Sequence, residues 1–189
     1  MYILQYCLLE KIEDSTAWFN KGSALQSLYK YEESIVYYDE AIRLDPENVE
    51  AWEAKGDSLD LLKRYEEAIV CFDEVIRLNP KDYLAWNNKG DSLIALDRFN
   101  ESIVCFDEAI KLDPKKINAW TNKGEALFLL EKFEESLSCF NTVIMLVPED
   151  SGLLSMSDAW TNKGEVLKKM GRAEEAEQCF VKSKEFEDS

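Results

Sequence analysis

Four glutamate pairs, Glu32-Glu33, Glu66-Glu67, Glu134-Glu135 and Glu174-Glu175, carry the residue type that general acid–base chemistry uses. Neighbouring helical residues point about 100° apart, so such a pair does not easily flank one bond. Each pair instead opens a helical stretch, where the N-terminal dipole favours negative charge. Cys71, Cys105 and Cys139 recur at a stride of 34, and Cys179 takes the same place in a last unit. That stride is unlike the CxxC clusters of metal or disulfide sites. Stacked helices stand about 8–10 Å apart, too far for disulfides, so the cysteines read as small apolar filler in a reducing compartment. Lys21, Lys55, Lys89, Lys123 and Lys163 form a ladder that would meet an anion. The simpler reading is that their stems cover apolar surface while their heads pair with carboxylates. Histidine is absent, which removes the commonest general base and a common metal ligand. No glycine-rich phosphate loop, Ser-His-Asp set or metal-ligand spacing occurs either. The expectation is a protein that is not an enzyme, with no catalytic residue, no metal and no cofactor.

The elements that must position these side chains are bounded by composition. The chain has 189 residues, 46% of them hydrophobic and 12% aromatic, enough to bury a core despite the acidic balance. A net charge of −16 repels phosphate backbones and anionic lipid, which excludes nucleic acid and membrane surfaces as partners. No stretch approaches the roughly 18 consecutive apolar residues of a spanning helix. The start MYILQYCLLE lacks the basic lead and cleavage site of a signal peptide. A cytoplasmic protein is expected.

An internal repeat organises everything else. Ala-Trp pairs end at Trp18, Trp52, Trp86, Trp120 and Trp160, spaced by 34, 34, 34 and 40 residues. The same register places Gly22, Gly56, Gly90, Gly124 and Gly164 four residues after each Trp. It places Pro46, Pro80, Pro114 and Pro148 twenty-eight residues after the first four. Within one unit, Trp52, Leu59 and Leu62 make one helical stripe, and Tyr65, Ile69, Phe72, Ile76 and Leu78 most of another, with a break near Lys63-Arg64. Two antiparallel helices per unit follow. Gly56 and Ala68 sit where those helices approach closely. Asp45-Pro46, Asn79-Pro80 and Asp113-Pro114 end the second helix, because the residue before proline is pushed out of the α region.

Trp, Gly, an aromatic, Ala or Ser, Phe or Tyr, Ala and Pro at these offsets resemble the tetratricopeptide repeat over residues 15–189. The resemblance implies an all-α fold: a solenoid of five helix-turn-helix repeats wound as a right-handed superhelix, with first helices lining a concave groove. The repeats are expected at 15–48, 49–82, 83–116, 117–150 and 157–189. Residues 1–14 are expected as a half-repeat or capping helix over the first unit, and 151–156 as an insertion that either loops or extends a helix. The fifth unit reads as a cap, with Glu177 where Ile35 stands and Lys184 where Ile42 stands.

Counted from each Trp, offsets −2, +1, +2 and +5 share one strip of the first helix, which the resemblance assigns to the groove. At +2 stand Asn20, Asn88, Asn122 and Asn162, with Ala54 as the exception. At +5 stand Ser23, Asp57, Asp91, Glu125 and Glu165. Asn carries a donor and an acceptor, so a row of them can bond successive peptide groups of an extended chain, or else bond neighbouring helices. The acidic row attracts basic segments, or is a solvated face. Leu61, Ile94, Ala95, Phe128 and Leu129 are candidates for apolar pockets. Members of the family that grip acidic tails use a basic clamp, whose positions here hold Phe19, Asn118 and Asn122, so such a clamp is not expected. The expected function is an adaptor that binds an extended or helical, basic and hydrophobic segment of a partner protein. Two alternatives stay open: a module self-assembling through its N-terminal helix into a homo-oligomer, and a regulatory domain acting beside an enzyme.

Overall fold

The computed structural model describes the backbone of residues 2–146 and 153–187 and the side chains of residues 15–146 and 156–186. Among the described residues there are ten helices and no strand. They are α1 (Tyr2–Ser27), α2 (Tyr31–Leu44), α3 (Val49–Leu61), α4 (Tyr65–Leu78), α5 (Tyr83–Ala95), α6 (Phe99–Leu112), α7 (Ile117–Leu129), α8 (Phe133–Leu146), α9 (Leu153–Lys169) and α10 (Ala173–Glu187). The chain forms two compact units, Met1–Leu96 with α1 to α5 and Asp97–Ser189 with α6 to α10.

Two kinds of turn recur. Inside a repeat the first helix closes with a left-handed residue: Tyr29, Lys63, Asp97 and Glu131 have φ of 61°, 60°, 57° and 59°, and Gly171 has 76°. At Lys63 the amide of Arg64 donates to the Leu59 carbonyl and that of Lys63 to Asp60, the paired bonds of a Schellman stop. The next helix starts with a basic residue bonded to a glutamate three positions on, Lys30 to Glu33, Arg64 to Glu67 and Arg172 to Glu175. The glutamate pairs are thus helix-start devices. Between repeats, Asp45 is extended at φ −136°, ψ 92°, as a residue before proline must be. Asn48 then accepts from the Ala51 amide, and Asp82 from those of Leu84 and Ala85. Three of the repeat tryptophans fasten this turn: Trp52, Trp86 and Trp120 donate Nε1–H to the carbonyls of Pro46, Pro80 and Pro114 at 3.1, 3.3 and 3.0 Å.

The turn is missing upstream of the first repeat. Where later units have Asp45-Pro46-Glu47-Asn48, this stretch reads Lys11-Ile12-Glu13-Asp14, with no proline to stop a helix, and α1 runs unbroken from Tyr2 to Ser27. Whether residues 1–10 cover the first unit lies outside the described side chains. Ala17 is exposed and Trp18 is 37% exposed, whereas the equivalent Ala51 is fully buried. Of the insertion, Leu153–Met156 lengthen α9 at its start, and Met156 is buried against Val143 and Ala159; residues 151 and 152 lie outside the described residues. At the other end Glu177 and Lys184 are exposed.

Four glycines of the register face a ring sixteen residues on. A Cβ on Gly22, Gly56, Gly124 or Gly164 would lie 2.6–2.9 Å from the ring of Tyr38, Phe72, Phe140 or Phe180. The first unit's core joins Ile35, Leu59, Ala68, Cys71 and Phe72, with Trp52 and Leu62 packed against it. Cys71, Cys105, Cys139 and Cys179 are buried free thiols, and burial pushes those of Cys71 and Cys139 up to about 11. Three lysines of the ladder are paired with carboxylates, Lys55 with Asp39, Lys89 with Asp73 and Lys123 with Asp107, at 2.6, 2.5 and 2.6 Å, and Lys21 and Lys163 lie over the rings of Tyr37 and Trp160.

Candidate functional site: two cavities beside the first helices

In the first unit, α3 and α5 bring Asp57, Asn88 and Asp91 together around a cavity of about 300 Å³, completed by Gln26, Asp60, Leu61 and Phe72. Asn88 Nδ2 donates to Asp57 Oδ1 at 3.2 Å, so here the amide of one repeat is bonded to the acid of the repeat before it. Burial pushes the Asp57 carboxyl up to about 6, the Asn88 bond opposing and the Asp60 charge adding. Asn87 Nδ2 donates to Asp91 at 3.0 Å, and Ser92 Oγ to Asp60 at 2.6 Å. The Tyr38 hydroxyl, pushed up to about 12 by burial and by Asp57, donates to Gln26 Oε1 at 2.5 Å. Leu61 stays 57% exposed at the edge.

In the second unit, Glu125, Asn162 and Glu165 surround a cavity of about 310 Å³ whose walls are Phe128, Leu129 and Phe140. A smaller one of about 160 Å³ has both Asn122 and Asn162 in its lining, with Ile117, Asn118, Thr121, Val143, Asp158 and Ala159. Asn20 is exposed on α1. Seven of the eight residues expected in the site therefore line cavities, and Asn20 is not among the residues lining these three.

The sequence reading missed Asp60 and Gln26, which sit at offset +8 from their tryptophans, one turn beyond the acid row. The signal was available: +8 runs Gln26, Asp60, Ile94, Phe128 and Lys168, the most varied chemistry of any position on this helix face. Among the described residues no three metal-ligating side chains stand together, and no helix is long and apolar enough to cross a membrane.

Tetratricopeptide repeat models match residues 19–83, 83–116, 117–150 and 157–188. The chain belongs to the tetratricopeptide repeat family. Its paired helices are the all-α solenoid class of that family, a scaffold for protein interactions. Comparison with curated proteins returned no match. Among solved structures, MamA residues 41 to the end from Desulfovibrio magneticus RS-1 superposes with a TM-score of 0.84 at 20% identity, covering 93% of this chain and 96% of that one. A second MamA crystal structure gives 0.81 at 19%, covering 88% and 94%. YrrB, described as a tetratricopeptide protein with an unusual peptide-binding site, gives 0.77 at 22%, covering 98% and 92%. At these identities the likeness is one of fold.

Proposed function

We propose that this tetratricopeptide protein is a cytoplasmic adaptor that holds an extended or helical, basic and hydrophobic segment of a partner protein against its first-helix strip, with no chemistry of its own. The observation that carries the reading is the pair of cavities, one in each unit, each combining carboxylates, an asparagine and exposed leucine. Carboxylates steer and orient a basic segment, amides bond its backbone, and leucine edges take its apolar side chains. That YrrB has a peptide-binding site on the same fold supports it by analogy.

Asn88→Ala/Asn122→Ala is expected to weaken a partner captured by the parent by about thirtyfold, since each of the two lost hydrogen bonds is worth about 1 kcal/mol. Affinity capture followed by titration of the captured partner measures this, with thermal unfolding confirming that the variant is folded. Unchanged affinity would remove the asparagine row from the site. Exposed Ala17 and Trp18 favour a second reading, self-association through the first repeat. Under that reading mass by light scattering rises with concentration and Trp18→Glu abolishes the rise.

A further inference from the structure

The two larger cavities are the same site in the repeat frame, and this inference rests on the partner-binding reading above. Counted from Trp52 and from Trp120, the +5 acid is Asp57 or Glu125, the +9 leucine Leu61 or Leu129, and the +20 ring Phe72 or Phe140. The following repeat supplies Asn88 and Asp91, or Asn162 and Glu165. One position changes the chemistry, the +8 residue: Asp60 in the first unit, Phe128 in the second.

That exchange turns a cavity with three carboxylates into one with an apolar interior and a charged rim. Phe140, 3% exposed, forms its floor, and Phe128 and the 45% exposed Leu129 its wall. Phe128 is held edge-on to Phe133, ring centroids 5.8 Å apart, so the wall is fixed before anything enters. At the rim stand Glu125 and Glu165, the latter also 3.7 Å from Lys168 of its own helix. An apolar interior rejects a charged side chain, and an acidic rim attracts a cation beside the apolar one.

We propose that the second-unit cavity is the anchor site for one apolar side chain of the partner segment, leucine, methionine or phenylalanine, flanked by a lysine or arginine that meets Glu125 and Glu165. Phe128 determines that specificity.

The test selects phage-displayed random dodecapeptides on the full chain and measures one enriched peptide by fluorescence anisotropy. The enriched set is expected to carry an apolar residue next to Lys or Arg. Changing that apolar residue to serine weakens binding about tenfold or more, a test that leaves the protein untouched. The same change costs little on Phe128→Asp, while Phe128→Leu keeps parental affinity within about threefold. Peptides that bind parent and Phe128→Asp equally yet are weakened by Asn88→Ala/Asn122→Ala would overturn the anchor and leave the strip as the binding surface. Peptides indifferent to all these variants, or no enrichment, would overturn both. Enrichment of segments of this chain itself would replace the partner with a second copy and overturn the proposal.

Discussion

Gly56→Ala is expected to destabilise the protein by about 1–3 kcal/mol, although alanine is the better helix former, because overpacking outweighs propensity here. The new Cβ would stand 2.7 Å from Phe72 Cε1, 3.0 Å from Cζ and 3.1 Å from Cδ1. Phe72 is fully buried among Ile35, Leu59, Ala68 and Cys71, so any shift of its ring to relieve the contact disturbs that packing. Phe72→Ala alone is expected to cost about 3–5 kcal/mol through the cavity it leaves. In the Phe72→Ala background the obstacle to Gly56→Ala is gone, and the second change becomes neutral or stabilising by up to about 1 kcal/mol. Urea unfolding of the four proteins therefore yields a coupling of about 1–4 kcal/mol. Additive losses would mean that glycine is present for some reason other than the ring sixteen residues on.

Asp57→Asn is expected to stabilise the protein at pH 7 by up to about 3 kcal/mol, from a shift of about two units at 1.36 kcal/mol each. The Asp57 carboxyl, ordinarily at 3.8, is pushed up to about 6 mainly by burial. A raised carboxyl binds its proton more tightly in the folded chain than in the unfolded one. Its contribution to stability is therefore most favourable below pH 4 and is lost as pH rises through about 6. Asparagine keeps an oxygen for the Asn88 Nδ2 bond and has nothing to ionise. Denaturant midpoints of parent and variant should converge below pH 4 and separate between pH 4 and 6, with the variant the more stable above. Curves that stay parallel across this range would show that Asp57 titrates like an exposed carboxylate.

The repeat frame was legible because it depends on local residues. Tryptophan, glycine and proline each answer a constraint within one hairpin or one turn, and the Trp-to-Pro bond spans six residues. The unbroken α1 follows from the same logic, since Lys11-Ile12 lacks the proline that ends every comparable helix. The expected strip was legible as positions and not as bonding. Asn88 reaches Asp57 across 31 residues and Ser92 reaches Asp60 across 32, pairings that appear only when one repeat is laid against the next. Reading each row separately left the asparagines two roles, a ladder for a ligand or a bond to a neighbouring helix, and Asn88 spends one donor on the second, to Asp57. At +8 the apolar Ile94 and Phe128 were legible as pocket candidates, whereas the polar Gln26 and Asp60 were not, because they line a cavity together with residues of the neighbouring repeat.

Site-specific photo-crosslinking tests the central claim most directly, since it maps contact without removing any hydrogen bond. Benzoylphenylalanine placed at Leu61 or Leu129, exposed leucines that line the two cavities, is compared with the same group at Val70 or Val104, exposed on α4 and α6. Irradiation in cells is expected to join one partner protein to the two cavity positions and nothing to the two valines. Adducts at Val70 and Val104, with none at Leu61 and Leu129, would contradict the first-helix strip as the surface on which this protein works.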